Sequence, residues 1–222
     1  MREIPALLKN VDTIIWDYNG TLLNDVAICV DAINSMLLER GIKPVTISEY
    51  QEVFDFPVKD YYEKIGFDFS KEDFAVVGRE FIHRYDALRP NSQLQPNVRN
   101  TLSCFRDRGV RQFVLSAREE ESLKREMRDF QLDPFFEAIY GLGDHYAHGK
   151  VDLGLELMQD FKLNPSKTVM IGDTLHDAEV AQEMGIMPIL ITHGHHHASR
   201  LAILDVLLID SLDSLCKEFA PN

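Results

Sequence analysis

Side chains suited to phosphoryl transfer occur at four separate places in this sequence. Asp17 is at the first place and Asp173 and Asp177 are at the last, with Ser116 and Lys150 between them. A carboxylate can attack phosphorus and form an aspartyl phosphate, which divides a difficult hydrolysis into two easier steps. Because a carboxylate and a phosphate repel each other, the attack needs a bridging cation, and Mg²⁺ prefers carboxylate oxygens with retained waters. These residue types predict a magnesium-dependent site if the fold brings them together.

Short apolar runs typical of buried strands lead into three of these places. The run at residues 11–18 ends in an Asn-Gly pair just after Asp17, and similar runs precede Ser116 and Asp173. We predict six strands, at residues 11–18, 111–115, 138–140, 168–171, 187–191 and 205–209.

Amphipathic segments separate the later strands. Helical spacing of apolar residues predicts helices at residues 97–108, 119–130, 151–161 and 177–184. Alternating strands and helices indicate an α/β fold with a Rossmann-like parallel sheet and helices on both faces. Ligands of such sheets bind beyond the carboxyl ends of the strands, where the four places could converge.

Residues 24–91 break this alternation. Segments 26–40, 47–54, 58–65 and 71–88 all have helical patterns, and no strand is convincing between them. We predict an α/β core of residues 1–22 and 93–222 with an all-α cap domain inserted at residues 23–92. Pro90 and Pro96 mark the return to the core, and the two crossing points are expected to act as hinges.

The order of the motifs resembles that of haloacid-dehalogenase-like hydrolases. An apolar strand ends in D-x-x-G-T-L at Asp17, a strand ends in Ser116, Lys150 follows, and a strand leads into G-D-T-x-x-D at residues 172–177. The resemblance covers nearly the whole chain. The helical insertion resembles the cap of the phosphoglycolate-phosphatase-like branch, which implies a phosphatase.

The resemblance also implies roles for these residues. Asp17 would be the nucleophile, and Mg²⁺ would be held by Asp17, the main-chain carbonyl of Asn19 and Asp173. Asp177 would bind the metal directly, hold a metal-bound water or orient Lys150.

A phosphate cradle is expected next to this metal. Ser116 would donate a hydrogen bond to the phosphoryl group, and Lys150 would offset its charge in the transition state. The full set of expected substrate contacts is Gly20, Thr21, Ser116, Ala117, Arg118 and Lys150.

Asn19 departs from the family pattern. Phosphatases of the family usually carry Asp two residues after the nucleophile, where it protonates the leaving oxygen and later activates water. An amide cannot transfer that proton, and such catalysis is worth roughly 10² to 10⁴ in rate. We therefore expect Asn19→Asp to raise activity on alkyl phosphates more than on aryl phosphates.

Three interpretations of Asn19 remain open. The substrate can have a leaving group that needs little protonation, as in acyl phosphates, pyrophosphate or aryl phosphates. Another residue can replace the acid, with His176, Asp60 and Glu63 as candidates. The third interpretation is a phosphate binder with vestigial catalysis.

Two other chemistries fit these residues less well. Dehalogenation is disfavoured because it needs no Mg²⁺, whereas residues 172–177 keep the cation-binding pattern. A phosphonatase would need a Schiff-base lysine in the insertion, for which Lys59 and Lys64 are candidates. The run of histidines at residues 193–197 is interpreted as a solvated or active-site-rim loop, with substrate or metal binding as the alternative.

Composition limits the partners. The net charge of −13 argues against nucleic acid, while small anions remain accessible through a bound cation. The three cysteines lack metal-type spacing, and the first ten residues have too short an apolar stretch for a signal peptide. We expect a cytoplasmic protein, monomeric or weakly dimeric, that acts on a small phosphorylated metabolite and binds no membrane.

Overall fold

A parallel sheet of six strands forms the core of the computed structural model, which describes residues 10–143 and 149–218. The strand order is β5-β4-β1-β6-β7-β8, and β1 is flanked by β4 and β6. The strands in chain order are β1 (Thr13–Trp16), β2 (Leu23–Asn24), β3 (Gln93–Leu94), β4 (Arg111–Glu119), β5 (Ala138–Leu142), β6 (Thr168–Gly172), β7 (Met187–Ile191) and β8 (Leu207–Ile209).

Helices follow the strands as the periodicity predicts. Side-chain caps fix several of their starts: Thr46 and Glu49 form a reciprocal capping box at one helix, and Thr174 and Asp177 do so at another. The helices are α1 (Val26–Glu39), α2 (Ile47–Val53), α3 (Val58–Lys64), α4 (Phe74–Leu88), α5 (Val98–Asp107), α6 (Glu120–Asp129), α7 (Lys150–Asp160), α8 (Leu175–Glu183), α9 (Ala198–Leu201) and α10 (Leu212–Glu218).

Both faces of the sheet are covered by helices. Alternate residues of β1 point to opposite faces, so Ile14 and Trp16 pack with α5, α6 and α10, whereas Ile15 packs with α7 and α8. The central strands are buried on both sides, as their continuous apolar runs require. The predicted α/β fold with a parallel sheet is confirmed.

Helices α1 to α4 form a helical insertion between β2 and β3. Their apolar side chains make a hydrophobic cluster of their own, around residues such as Ile33, Met36 and Val77. The short antiparallel ribbon of β2 and β3 joins the insertion to the core, and this ribbon was not predicted because two-residue strands leave no periodic pattern. The division into two domains stays a prediction.

Some boundaries differ from the predicted ones. Strand β1 is shorter than predicted, and β4 continues to Glu119, because Glu119 pairs with Leu142 beyond an irregularity after Leu115. Ser116 therefore lies within β4 rather than after it. The apolar stretch at residues 1–9 and the side chain of Cys216 lie outside the described residues. Within residues 10–143 and 149–218, every helix is too short or too polar to cross a bilayer.

Candidate active site

The three central strands bring the predicted residues to one edge of the sheet. Trp16 pairs with Val114 of β4 and with Ile171 of β6. The residues just beyond these pairs, Asp17, Ser116 and Asp173, therefore lie on neighbouring strands at their carboxyl ends. All three side chains are buried.

Lys150 links two of the carboxylates. Its Nζ donates to Oδ1 of Asp17 at 2.5 Å and to Oδ1 of Asp177 at 2.6 Å. Burial favours the neutral form of the Asp17 carboxyl and raises its pKa to about 8, although the Lys150 ammonium opposes that rise. The neighbouring carboxylates of Asp177 and Asp173 raise it further. The carboxylates of the site thus carry more negative charge than the Lys150 ammonium can neutralise.

Asp173 is held by donors from two loops. The Thr21 hydroxyl donates to its Oδ1 at 2.8 Å, and the main-chain N–H of His195 donates to its Oδ2 at 2.6 Å. A Cβ at Gly20 would lie 2.3 Å from this carboxylate, and one at Gly194 would lie 2.1 Å from it. Both glycines are therefore needed for the loops to approach. Thr21, which we predicted to contact phosphate, instead orients Asp173.

Asp177 lies in the first turn of α8. Its Oδ2 accepts hydrogen bonds from the main-chain N–H groups of Asp173 and Thr174 and from the Thr174 hydroxyl. Its Oδ1 is left to Lys150. Asp177 consequently contacts both Lys150 and the loop that presents Asp173, and its role in orienting Lys150 or in binding a metal stays a prediction.

The three carboxylates lie close enough together to share a divalent cation. One oxygen of each of Asp17, Asp173 and Asp177 lies within 4.8 Å of the others, and all three residues are buried. Hard oxygen donors of this kind suit Mg²⁺, and a cation would offset the excess of negative charge. The prediction that these residues can hold a metal is supported at this level.

Asn19 contacts an acidic residue that the sequence analysis missed. Its Nδ2 donates to Oδ2 of Asp25 at 2.7 Å and to the Tyr85 hydroxyl at 3.0 Å. Asp25 is fully buried and also accepts from the main-chain N–H of Gly20. No motif marks Asp25 in the sequence, because its partners come from other elements.

The histidine run was predicted to be a solvated or an active-site-rim loop, and the solvated form does not fit, because His195 contacts Asp173 and Asp25. His195 and His196 are buried, and the His195 ring contacts Asp25 through Nε2 at 3.2 Å and the Tyr50 hydroxyl through Nδ1 at 2.8 Å. Burial favours the neutral ring, but the Asp25 carboxylate outweighs it and raises the pKa of His195 to about 9. The sequence shows the cluster of histidines, but the burial of their side chains depends on packing against α2 and could not be predicted from it.

Asp25, Cys29 and His195 also have donor atoms within 4.8 Å of one another. Oδ1 of Asp25 already accepts hydrogen bonds from Gly20 and His195, and Oδ2 accepts from Asn19 and Tyr85. Because those lone pairs are used, these side chains form a hydrogen-bond network rather than a second metal site.

Arg118 has protein partners of its own. Its guanidinium donates to Glu126 and to Asp86 on α4, and it lies 5.1 Å from the centre of the Tyr85 ring. A substrate anion would have to compete with two carboxylates, so the predicted substrate contact is not supported by this arrangement.

The main-chain N–H of Arg118 donates to the Ser116 hydroxyl, whose own hydrogen can point to a ligand, while Ala117 is exposed.

The family is decided by a family model that spans most of the chain. The family model described as haloacid dehalogenase-like hydrolase matches residues 14–191. The chain belongs to this family. The predicted family and the predicted hydrolase chemistry are therefore confirmed.

Named relatives narrow the activity. This hydrolase is 26% identical over 211 residues to a phosphoglycolate phosphatase of Pseudomonas putida, covering 91% of this chain and 77% of that protein. It is 25% identical over 186 residues to the tyrosine-protein kinase PtkA of Mycobacterium tuberculosis, covering 83% and 63% of the two chains. The prediction of a phosphatase is confirmed at the level of the family and of the relatives named phosphatases.

Solved structures share the fold of the hydrolase. A haloacid dehalogenase-like family protein of Streptococcus pneumoniae matches with a TM-score of 0.81 at 20% identity, covering 95% of this chain and 99% of that chain. A predicted phosphoglycolate phosphatase of Haemophilus somnus matches with a TM-score of 0.73 at 20% identity, covering 94% and 97%.

The residues proposed to replace the missing acid are exposed or in contact with other side chains. Asp60 and Glu63 are exposed on α3, and His176 stacks on Phe56 and contacts Glu179. Lys59 and Lys64 are exposed as well. An exposed ammonium is not desolvated as a Schiff-base lysine needs to be, so the phosphonatase alternative loses its candidates.

The contact between Asn19 and Asp25 changes the expected result of Asn19→Asp. The new carboxylate would face a second carboxylate at the 2.7 Å contact, in a buried setting. We expect this variant to lose about 2 kcal/mol of stability, seen as a melting temperature roughly 4 to 8 °C lower. The variant Asn19→Asp/Asp25→Asn, which exchanges amide and carboxylate, should recover part of that loss. An Asn19→Asp protein that melts at the wild-type temperature would contradict the close contact between positions 19 and 25.

The charge excess predicts the behaviour of Asp17→Asn without metal. A carboxyl whose folded pKa lies above its unfolded value destabilises the fold at neutral pH, because ionisation there costs burial energy. The amide removes that cost, so in chelator Asp17→Asn should melt a few degrees higher, or about 1 kcal/mol more stable. Asp12→Asn, at an exposed position just before the same strand, is the control and should melt like wild type.

Proposed function

We propose that this protein is a Mg²⁺-dependent phosphatase that acts on a small phosphorylated metabolite through an aspartyl phosphate on Asp17. One observation carries the proposal: the buried carboxylates of Asp17, Asp173 and Asp177 meet at the carboxyl edge of the sheet beside Lys150. Mg²⁺ would be held by Asp17, Asp173 and the main-chain carbonyl of Asn19, and when bound it would neutralise charge between carboxylate and phosphate.

In the first step, an oxygen of Asp17 forms a bond to phosphorus while the bond to the leaving oxygen breaks. The Ser116 hydroxyl binds a phosphoryl oxygen, and the Lys150 ammonium offsets the charge that develops on the phosphoryl group. Asp177 keeps Lys150 in place for this task through its 2.6 Å contact. These groups are fixed before the substrate arrives, which limits the reorganisation that the reaction requires.

Asn19 sets the requirement on the leaving group. Its carboxamide cannot give a proton, so the leaving oxygen departs as an anion or takes its proton from water. Phosphates with stable leaving anions, such as acyl phosphates, anhydrides and aryl phosphates, suit this site better than alkyl esters. The relatives named phosphoglycolate phosphatase support a small metabolite but do not choose among these classes.

The helical insertion would act as a cap over the site. Asp17, Ser116 and Lys150 are each at most 6% exposed, so a substrate cannot reach them without an opening. Closure would exclude water and strengthen the electrostatic contacts of the phosphoryl group. Side chains of the insertion would then select the substrate.

Metal dependence and the nucleophile are tested together. Phosphate release from acetyl phosphate should require added Mg²⁺ and stop in chelator, because the carboxylates alone repel the substrate. Asp17→Asn should abolish release, whereas Asp12→Asn should keep it. Phosphate release that persists in chelator and in Asp17→Asn would contradict the proposed mechanism.

Leaving-group preference is tested with a substrate panel. Acetyl phosphate, pyrophosphate and p-nitrophenyl phosphate should be hydrolysed with kcat/KM about 10² to 10⁴ above that of phosphoglycolate, since an alkyl leaving group lacks its general acid. Equal kcat/KM for all four would show that another group supplies the proton. Saturable binding of inorganic phosphate without turnover of any substrate would favour the phosphate-binding alternative.

A further inference from the structure

A chain of buried hydrogen bonds runs from the nucleophile loop into the helical insertion. Asp25 is at its centre and accepts from Asn19, from the Tyr85 hydroxyl at 2.8 Å and from His195. His195 in turn contacts the Tyr50 hydroxyl. Tyr85 and Tyr50 belong to the helical insertion, on α4 and α2, whereas Asn19 and His195 belong to core loops.

The hydrogen bonds of Asp25 fix the orientation of the Asn19 amide. Both Asp25 oxygens act as acceptors, from Gly20 and His195 at Oδ1 and from Asn19 and Tyr85 at Oδ2. An amide facing a carboxylate must turn its N–H groups towards it. One N–H of Asn19 goes to Asp25 and the other to the Tyr85 oxygen. The Asn19 Oδ1 therefore remains as an acceptor.

Docking of the insertion completes this arrangement. The Tyr85 hydroxyl donates to Asp25 and accepts from Asn19, which itself donates to Asp25, so each of these three side chains is hydrogen-bonded to the other two. On the other side, Gln51 donates to the Gly194 carbonyl at 2.7 Å, and Arg200 pairs with Asp55. The loop that carries His195 is thus fastened to α2 and the segment that follows it.

We propose that Asp25 is a positioning residue that holds Asn19 as a hydrogen-bond acceptor for the attacking water, and that Tyr85 and the His195–Tyr50 pair make this hold depend on docking of the insertion. The proposal rests on the proposed function, since it concerns hydrolysis of the aspartyl phosphate. It assigns Asn19 a role of its own in place of the missing acid.

The step assisted is the second one. The water oxygen forms a bond to phosphorus, the bond between phosphorus and the Asp17 oxygen breaks, and its electron pair returns to the carboxylate. Both water protons leave on the released dihydrogen phosphate. Asn19 Oδ1 accepts a hydrogen bond from the water and aligns it without taking its proton, so the gain comes from orientation.

Tyrosine-to-phenylalanine variants test this with a matched control. Tyr85→Phe and Tyr50→Phe each remove one hydroxyl of the network, whereas Tyr61→Phe removes a buried hydroxyl from the same aromatic cluster that has no partner among the described residues. With acetyl phosphate, Tyr85→Phe should lower kcat roughly tenfold, the effect of losing a hydrogen bond to a charged group. KM should fall with kcat, because only the step that breaks down the phosphoenzyme is slowed and kcat/KM reports the first step. Tyr50→Phe should lower kcat less, and Tyr61→Phe should match wild type.

A double-mutant comparison separates positioning from general damage. If Tyr85 acts through Asn19, Asn19→Ala/Tyr85→Phe should be no slower than Asn19→Ala alone. Slower water attack should also let covalent phosphoenzyme accumulate in Tyr85→Phe, which intact-mass measurement after rapid quenching detects. Equal kcat for Tyr85→Phe and Tyr61→Phe, or fully additive losses with Asn19→Ala, would overturn the proposal while leaving the phosphatase intact.

Hydrogen–deuterium exchange tests the docking without relying on activity. Tyr85→Phe and Tyr50→Phe should exchange faster than wild type in the loops at residues 17–25 and 192–197, and Tyr61→Phe should not. Unchanged exchange in both loops would overturn the coupling to docking. If the wild type hydrolyses no phosphate but the variants show these differences in exchange, the proposed function fails and the coupling to docking stands.

Discussion

The burial of three carboxylates around one ammonium is the constraint on which the site depends. Lys150 contacts two of them, and Asp173 is stabilised by the Thr21 hydroxyl and the main-chain N–H of His195. Such a cluster tolerates burial only if its donors are rigidly placed and its remaining charge is met by a cation. The close approach of Gly20 and Gly194 and the capping of α8 both serve that placement.

What the sequence predicts well follows from two periodicities and one topological rule. Continuous apolar runs distinguish the buried strands, and apolar residues at helical spacing distinguish the covering helices. Parallel strands end at the same edge of the sheet, so Asp17 and Asp173 could be placed together although 156 positions separate them. The role of each residue remains a proposal, because position alone does not establish chemistry.

What the sequence could not predict depends on contacts between distant elements. Asp25 meets Tyr85 across 60 positions and His195 across 170, and no local pattern encodes either contact. The histidine run was interpreted as a solvated or active-site-rim loop, and the burial of His195 and His196 was not predicted because it depends on packing against α2. Arg118 was expected to be free for a ligand, yet Glu126 and Asp86 occupy its guanidinium.

The contact between positions 19 and 25 limits how this protein can diverge. A lineage that regained a carboxylate at position 19 first would confront two buried anions, and one that first lost Asp25 would release His195 and Tyr85 from their shared acceptor. Either single replacement loses contacts that the pair makes, so the effect of a change at one position depends on the residue at the other. Homologues are expected to carry matched combinations at these two positions.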